Sequence, residues 1–149
     1  MTVSLALFVD VDAPAEQTWA AAVDWDTQGE WMLGTKVRGT EQDGNGVGGG
    51  IEAVTFGVKD TMRITSWQPP LVCEVLHTGN VVRGTGRFSV EDRGGGTSRF
   101  YWREDLDLPL GMLGRIGWVL VRPLFAFGVQ LSLKRFAAVV SAPRTSAAP

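Results

Sequence analysis

Ile116–Val140 reads "IGWVLVRPLFAFGVQLSLKRFAAVV", and how this stretch is interpreted decides the fold. It is the most hydrophobic part of the chain, and a bilayer-spanning helix needs about 20 apolar residues with few charges. Arg122 interrupts the run, and Lys134 and Arg135 close it. The reading is therefore a long buried helix, from about Leu110 to Val140, rather than a membrane span. Pro123 removes one backbone donor inside it and predicts a kink. Leu120, Leu124, Phe127 and Leu131 fall on one stripe at helical spacing, and Trp118, Phe125, Val129 and Phe136 on another. The first stripe is expected to face the interior. A helix apolar on nearly every side is either deeply enclosed or offers its far side to a partner, whether a protein, a second copy in a homodimer, or a membrane surface.

Upstream lies what such a helix would cover. Val3, Leu5, Leu7, Val9 and Val11 alternate on one parity and predict a first strand. "DAPAEQTWAAAVD" then carries a helix start, with Asp12 able to cap, Pro14 near the first helical position and acidic or amide side chains in the first turn. A second short helix is expected over Thr27–Leu33, ended by Gly34. Strand patterns follow at Lys36–Gln42, Gly50–Gly57, Thr61–Trp67, Leu71–Thr78, Val81–Glu91 and Ser98–Leu108. Their links are turn chemistry, "DGNGVGG", "GVKD", "QPP", "TGN" and "DRGGG". Short links predict an antiparallel meander, because parallel pairs need long crossovers. The fold class is α+β, with one domain over residues 1–141 and a flexible tail over 142–149.

Composition narrows the function. Fourteen basic against 16 acidic residues leave a net charge of −2, with no basic excess to neutralise nucleic-acid phosphates. A single Cys73 and a single His77 supply neither a disulfide framework nor a structural zinc site, so no metal is expected. The N-terminal apolar run carries no positive flank and ends at Asp10, too short for a signal peptide, and the expected location is cytoplasmic. "GNGVGG" over 44–49 satisfies the dinucleotide pattern literally, but a strand-like segment follows it where a helix should open. It is read as a hairpin loop, and no cofactor is expected. No G-x-S-x-G elbow is present.

Trp19, the Asp24–Trp25 pair and Trp31, the "WQPPL" turn at 67–71, the "RGGGT" hairpin at 93–97 and the "FYW" at 100–102 together resemble the polyketide cyclase/dehydrase branch of the START-like, helix-grip (SRPBCC, Bet v 1-like) superfamily. The resemblance covers Val3–Val140. It implies a bent seven-stranded sheet wrapped around the long C-terminal helix, with a cavity between them. It also implies that Trp31 points into the cavity mouth with Trp19 packed behind it, while Trp25 is a structural plug. The superfamily includes carriers, hormone binders and cyclases, so it fixes fold more tightly than activity.

Two function classes follow. The first is a binding module for a small hydrophobic or aromatic ligand, lipid- or polyketide-like, walled by Trp31, Phe56, Met62, Phe88, Trp102, Phe127 and Leu131. Gly84 and Gly86 alternate with Val82 and Phe88 on an inward strand face, and their missing side chains are read as room. The second is an aromatase/cyclase-type enzyme closing and dehydrating a polyketide-like chain. The resemblance implies a cavity Arg before the proline turn for such chemistry, and this chain has Trp67–Gln68 there. The polar candidates for either class are Glu104, which shares parity with Phe100 and Trp102, and His77, which shares parity with Cys73 and Val75. Desolvation against aromatic rings would push Glu104 towards its neutral, acid form, or it reaches solvent or Arg115 at the strand's end. His77 either faces the interior as a proton donor or sits satisfied at an edge.

Overall fold

The computed structural model describes residues 2–107 and 111–141. Seven strands form one antiparallel sheet in the order β1-β7-β6-β5-β4-β3-β2. The strands are β1 (Thr2–Val11), β2 (Thr35–Gly39), β3 (Gly50–Thr55), β4 (Val58–Gln68), β5 (Val72–Thr78), β6 (Arg83–Gly94) and β7 (Thr97–Asp107). Helix α1 (Ala15–Ala22) and a 3-10 helix (Trp25–Glu30) join β1 to β2, and helix α2 (Met112–Ser141) ends the described chain. This is the helix-grip order expected from the sequence. Leu108, the proposed Leu110 helix start and the 142–149 tail lie outside the described residues.

Period-two burial builds the sheet's inner face. Leu5 and Val11 on β1, and Ser98, Phe100 and Trp102 on β7, are buried, whereas Ala6, Phe8 and Asp10 point outward. The first strand pairs with the last over its whole length, from Thr2 opposite Asp107 to Val11 opposite Ser98. Residues 41–42 depart from the expected strand: Glu41–Gly44 is a 3-10 turn with Gln42 and Asp43 at positive φ.

Helix α2 departs further. Its buried residues are Val129, Ser132, Leu133, Phe136 and Val140, all in its C-terminal half. The stripe expected inside is outside: Leu120 is 76% and Leu124 74% exposed, Phe127 is exposed and Leu131 is 39% exposed. The buried side continues the Trp118–Phe125–Val129–Phe136 stripe instead. The sequence offered no contrast here, because both stripes are apolar. Polar contacts decide it: Ser132 Oγ accepts from the Leu33 amide at 3.1 Å and donates to Gly128 O at 2.9 Å. Arg135 donates to Glu30 O at 3.1 Å, and the Asp12 amide donates to Ser141 Oγ at 3.0 Å. These contacts fix the rotation and pin the second half of α2 to the start of the chain. The helix runs through Pro123 as one element.

Candidate functional site

Between the sheet's concave face and α2 lies a cavity of about 650 Å³. That is within the usual few hundred to about 1,000 Å³ of small-molecule sites. Met62, Val75, Phe88 and Trp102 line its sheet side, and Phe125 and Gly128 its helix side. Phe88 stacks against Trp102 with ring centroids 4.9 Å apart, so the aromatic wall is continuous across β6 and β7.

Three polar side chains meet on this wall. His77 on β5 stands between Asp60 on β4 and Glu104 on β7, with Nδ1 2.9 Å from Asp60 Oδ1 and Nε2 2.9 Å from Glu104 Oε2. The His77 side chain is almost fully buried, and all three residues line the cavity. The contact with Glu104 crosses a whole strand, because β6 separates β5 from β7. It is permitted by glycine. Gly86 lies opposite Glu104 on one side and Val75 on the other. A Cβ on Gly86 would lie 3.0 Å and 3.2 Å from the two Glu104 carboxylate oxygens. The space left by Gly86 is therefore filled by a carboxylate. Gly84 is there for another reason: its φ is +122° and a Cβ would meet Asp105 O at 2.1 Å, so backbone geometry requires it.

Electrostatics follow from burial and pairing. Burial opposes a charge on His77, but hydrogen bonds and Coulomb attraction from Asp60 and Glu104 outweigh it and raise its pKa to about 10. The ring is an imidazolium donating from both nitrogens. Burial pushes the Glu104 carboxyl upward, only partly offset by His77. Glu104 therefore holds a proton more readily than an exposed glutamate, while Oε1 accepts no hydrogen bond among the described residues. Cys73 lines the same wall, with its thiol pushed up to about 12 by burial, and is inert packing.

The sequence-derived candidates separate. Met62, Phe88, Trp102, His77 and Glu104 line the cavity wall, and Phe56 and Phe127 line its exposed rim. Leu131 is not on the cavity, because it belongs to the outer stripe of α2. Trp31 is a correction. It is 2% exposed, lies off the cavity, and packs in the core 4.8 Å from Phe136 and 6.4 Å from Trp102. Trp25, expected as a plug, lines the cavity, tilts against Phe88 at 6.1 Å and donates from Nε1 to Gly44 O at 2.8 Å. In a 3-10 helix residues three apart eclipse, so Trp25, Gln28 and, at the C-cap, Trp31 share one inward edge; along it Trp25 meets Phe88 at the cavity, while Trp31 meets Phe136 in the core. Trp19 meets Trp67 edge to face, with ring centroids 5.3 Å apart. Asp60 was missed because "GVKD" reads as a turn, yet it has the parity of Met62 and Ile64, and extending the expected Thr61–Trp67 strand one residue backward would have found it. Among the described residues no cluster of His, Cys, Asp and Glu suits a metal ion.

Solved structures share this architecture. An aromatase/cyclase from Streptomyces sp. R1128 matches with TM-score 0.73 and 14% identity over 94% of each chain. A protein from Thermus thermophilus matches with TM-score 0.74 and 17% identity over 93% of this chain and 97% of that one. Norcoclaurine synthase from Thalictrum flavum, in complex with a transition-state analogue, matches with TM-score 0.68 and 12% identity over 94% of each chain. At such identities the likeness is one of fold. Comparison with curated proteins gives no match. A family profile described as polyketide cyclase / dehydrase and lipid transport matches residues 2–141, nearly the whole sequence, and the chain belongs to that family.

Proposed function

We infer that the protein binds a small, largely apolar or aromatic molecule in the cavity between the sheet and α2, with Glu104 and His77 orienting one polar group of it. The observation that carries this reading is the Asp60–His77–Glu104 set, with His77 buried between two partly buried carboxylates, on an otherwise apolar wall of a roughly 650 Å³ space. A ligand burying about 300 Å² there gains roughly 7 kcal/mol before ordering costs, which corresponds to micromolar binding. N-phenyl-1-naphthylamine, a neutral apolar dye, tests it by fluorescence titration. The dye should brighten and saturate on the wild type and lose at least tenfold affinity on Val75→Phe, which fills the cavity from β5. Unchanged binding to a folded Val75→Phe protein would refute the cavity assignment.

A second reading, catalysis, is favoured by one specific feature: a buried carboxyl coupled to an imidazolium and facing an apolar space. As a base, Glu104 would take a proton α to a ligand carbonyl, and as an acid it would return one to the oxygen during aldol closure or dehydration. Turnover of a short poly-β-ketone analogue is the measurement. Glu104→Gln should lower kcat by about 10²-fold or more with dye binding retained. Equal turnover in the two proteins removes the catalytic reading and leaves the binding one.

A further inference from the structure

The charge on the cavity wall is unbalanced. Asp60 and Glu104 are carboxylates, and His77 stands between them with both ring nitrogens already donating. The remaining charged residue, Arg87, is half exposed, alternates with the inward Gly86 and Phe88, and lies 3.6 Å from Glu74. No lysine lines the cavity among the described residues, so no unpaired cation faces it. When Glu104 is ionised, two carboxylates share one imidazolium, and a net negative charge borders an apolar space, which is costly without a partner. When Glu104 holds a proton the cluster is neutral and still offers an anion no cation.

One atom of the cluster is open to a ligand. Glu104 Oε2 is taken by His77, whereas Oε1 accepts no hydrogen bond among the described residues. Nor is Oε1 sealed: the fully buried side-chain atoms without a partner, among those residues, are Trp31 Nε1 and Trp102 Nε1. The other polar side chains on the wall are neutral. Thr35 donates to Leu33 O, Thr55 pairs with Thr35, and Ser132 donates to Gly128 O. Gln28 Nε2 reaches only Met32 Sδ, 4.0 Å away, and a neutral amide offsets no charge. A ligand therefore meets an acceptor that lacks a donor. A ligand carboxylate there would join two others around one imidazolium, and like charges repel strongly where little water screens them. Resting on the ligand-binding reading, we propose that the cavity takes a molecule whose buried polar end is a hydrogen-bond donor without negative charge, a hydroxyl or an amine, and rejects carboxylates. Glu104 is the residue that sets this selectivity.

Displacement of N-phenyl-1-naphthylamine near neutral pH by four naphthalenes of similar size tests it. They are 2-naphthol, 2-naphthylmethylamine, 2-methoxynaphthalene and 2-naphthoate. The methyl ether keeps the rings and the oxygen but has no hydrogen to give, and the naphthoate carries the negative charge. At least one of the two donors should bind about tenfold or more tighter than the ether, the usual worth of a hydrogen bond to a charged group, and the naphthoate should bind weakest. Which donor leads separates a hydroxyl ligand from an amine ligand. Glu104→Gln withdraws the charge and keeps the shape, so the gap between the amine and the naphthoate should shrink by about tenfold or more. If that variant does not fold, the wild-type series alone decides. An ether that matches both donors overturns the proposal, as does a naphthoate that matches or exceeds the ether, or a folded Glu104→Gln protein that keeps the whole gap. Each of those results leaves dye binding intact and the cavity reading standing. A dye that does not bind, or that binds a folded Val75→Phe protein unchanged, removes both.

Discussion

At the scale of single residues, the site depends on what glycine leaves out and what histidine holds. His77 reaches Glu104 only because β6 presents no side chain at position 86. Gly86→Val should push the carboxylate away, whereas Gly86→Ala asks the flexible Glu104 end to yield by a few tenths of an ångström. Gly84→Ala should be the more damaging alanine substitution, by about 1–3 kcal/mol or more in denaturant unfolding, because it forces both a backbone clash and an unfavourable φ. His77 also makes stability depend on pH. Its folded pKa of about 10 lies above the ordinary 6.5, so its contribution is complete below pH 6.5 and is lost as pH rises through 10. Removing one partner of a buried ion pair costs about 3–5 kcal/mol. His77→Gln should therefore destabilise by about that much near pH 6 and by clearly less above pH 10. A penalty independent of pH would show that the ring is not charged in the folded protein.

At the scale of elements, α2 is two helices in energetic terms. Its second half inserts Leu133 and Phe136, both fully buried, and its first half buries little. Leu133→Ala or Phe136→Ala should cost about 3–5 kcal/mol, and Leu120→Ala no more than about 0.5 kcal/mol. Amide exchange should divide at the same place, with residues before Phe125 opening far more easily than Val129–Val140. This element also marks the boundary of what periodicity can reveal. On β7 the alternation of Phe100, Trp102 and Glu104 with charged neighbours announced the inward face, and the structure keeps it. On α2 a hydrophobic residue stands at almost every angle, so the pattern carried no preference for one rotation. Hydrogen bonds at Ser132 and Arg135, which connect to residues about a hundred positions away, made the choice.

At the scale of the whole molecule, the β2–β7 meander followed from local chemistry, because its turn signals were short, whereas the sheet wrapped around α2 came from the family resemblance and the pairing of β1 with β7 joins segments about a hundred residues apart. The site was less legible. Glu104 and His77 were visible by parity as polar candidates, with a solvent or edge position left open for each, but their contact depends on β5, β6 and β7 being in register, and Asp60 was hidden in an apparent turn. An enclosed ligand would act on this whole body at once. At a dye concentration about a hundredfold above its dissociation constant, folding gains about 2.7 kcal/mol. For a chain of this size that is roughly 5–10 °C in melting temperature. Val75→Phe should abolish the shift, and a dye that bound only the exposed half of α2 would keep it.

Asp60, His77 and Glu104 lie end to end, and the first is the wettest of the three. An imidazolium gripped at both nitrogens releases a proton from one side and takes another from the other without turning over. On the catalytic reading the row would act as a relay: a proton given up at Glu104 would be replaced from His77, and His77 recharged through Asp60 from bulk solvent, with no column of water entering the hollow.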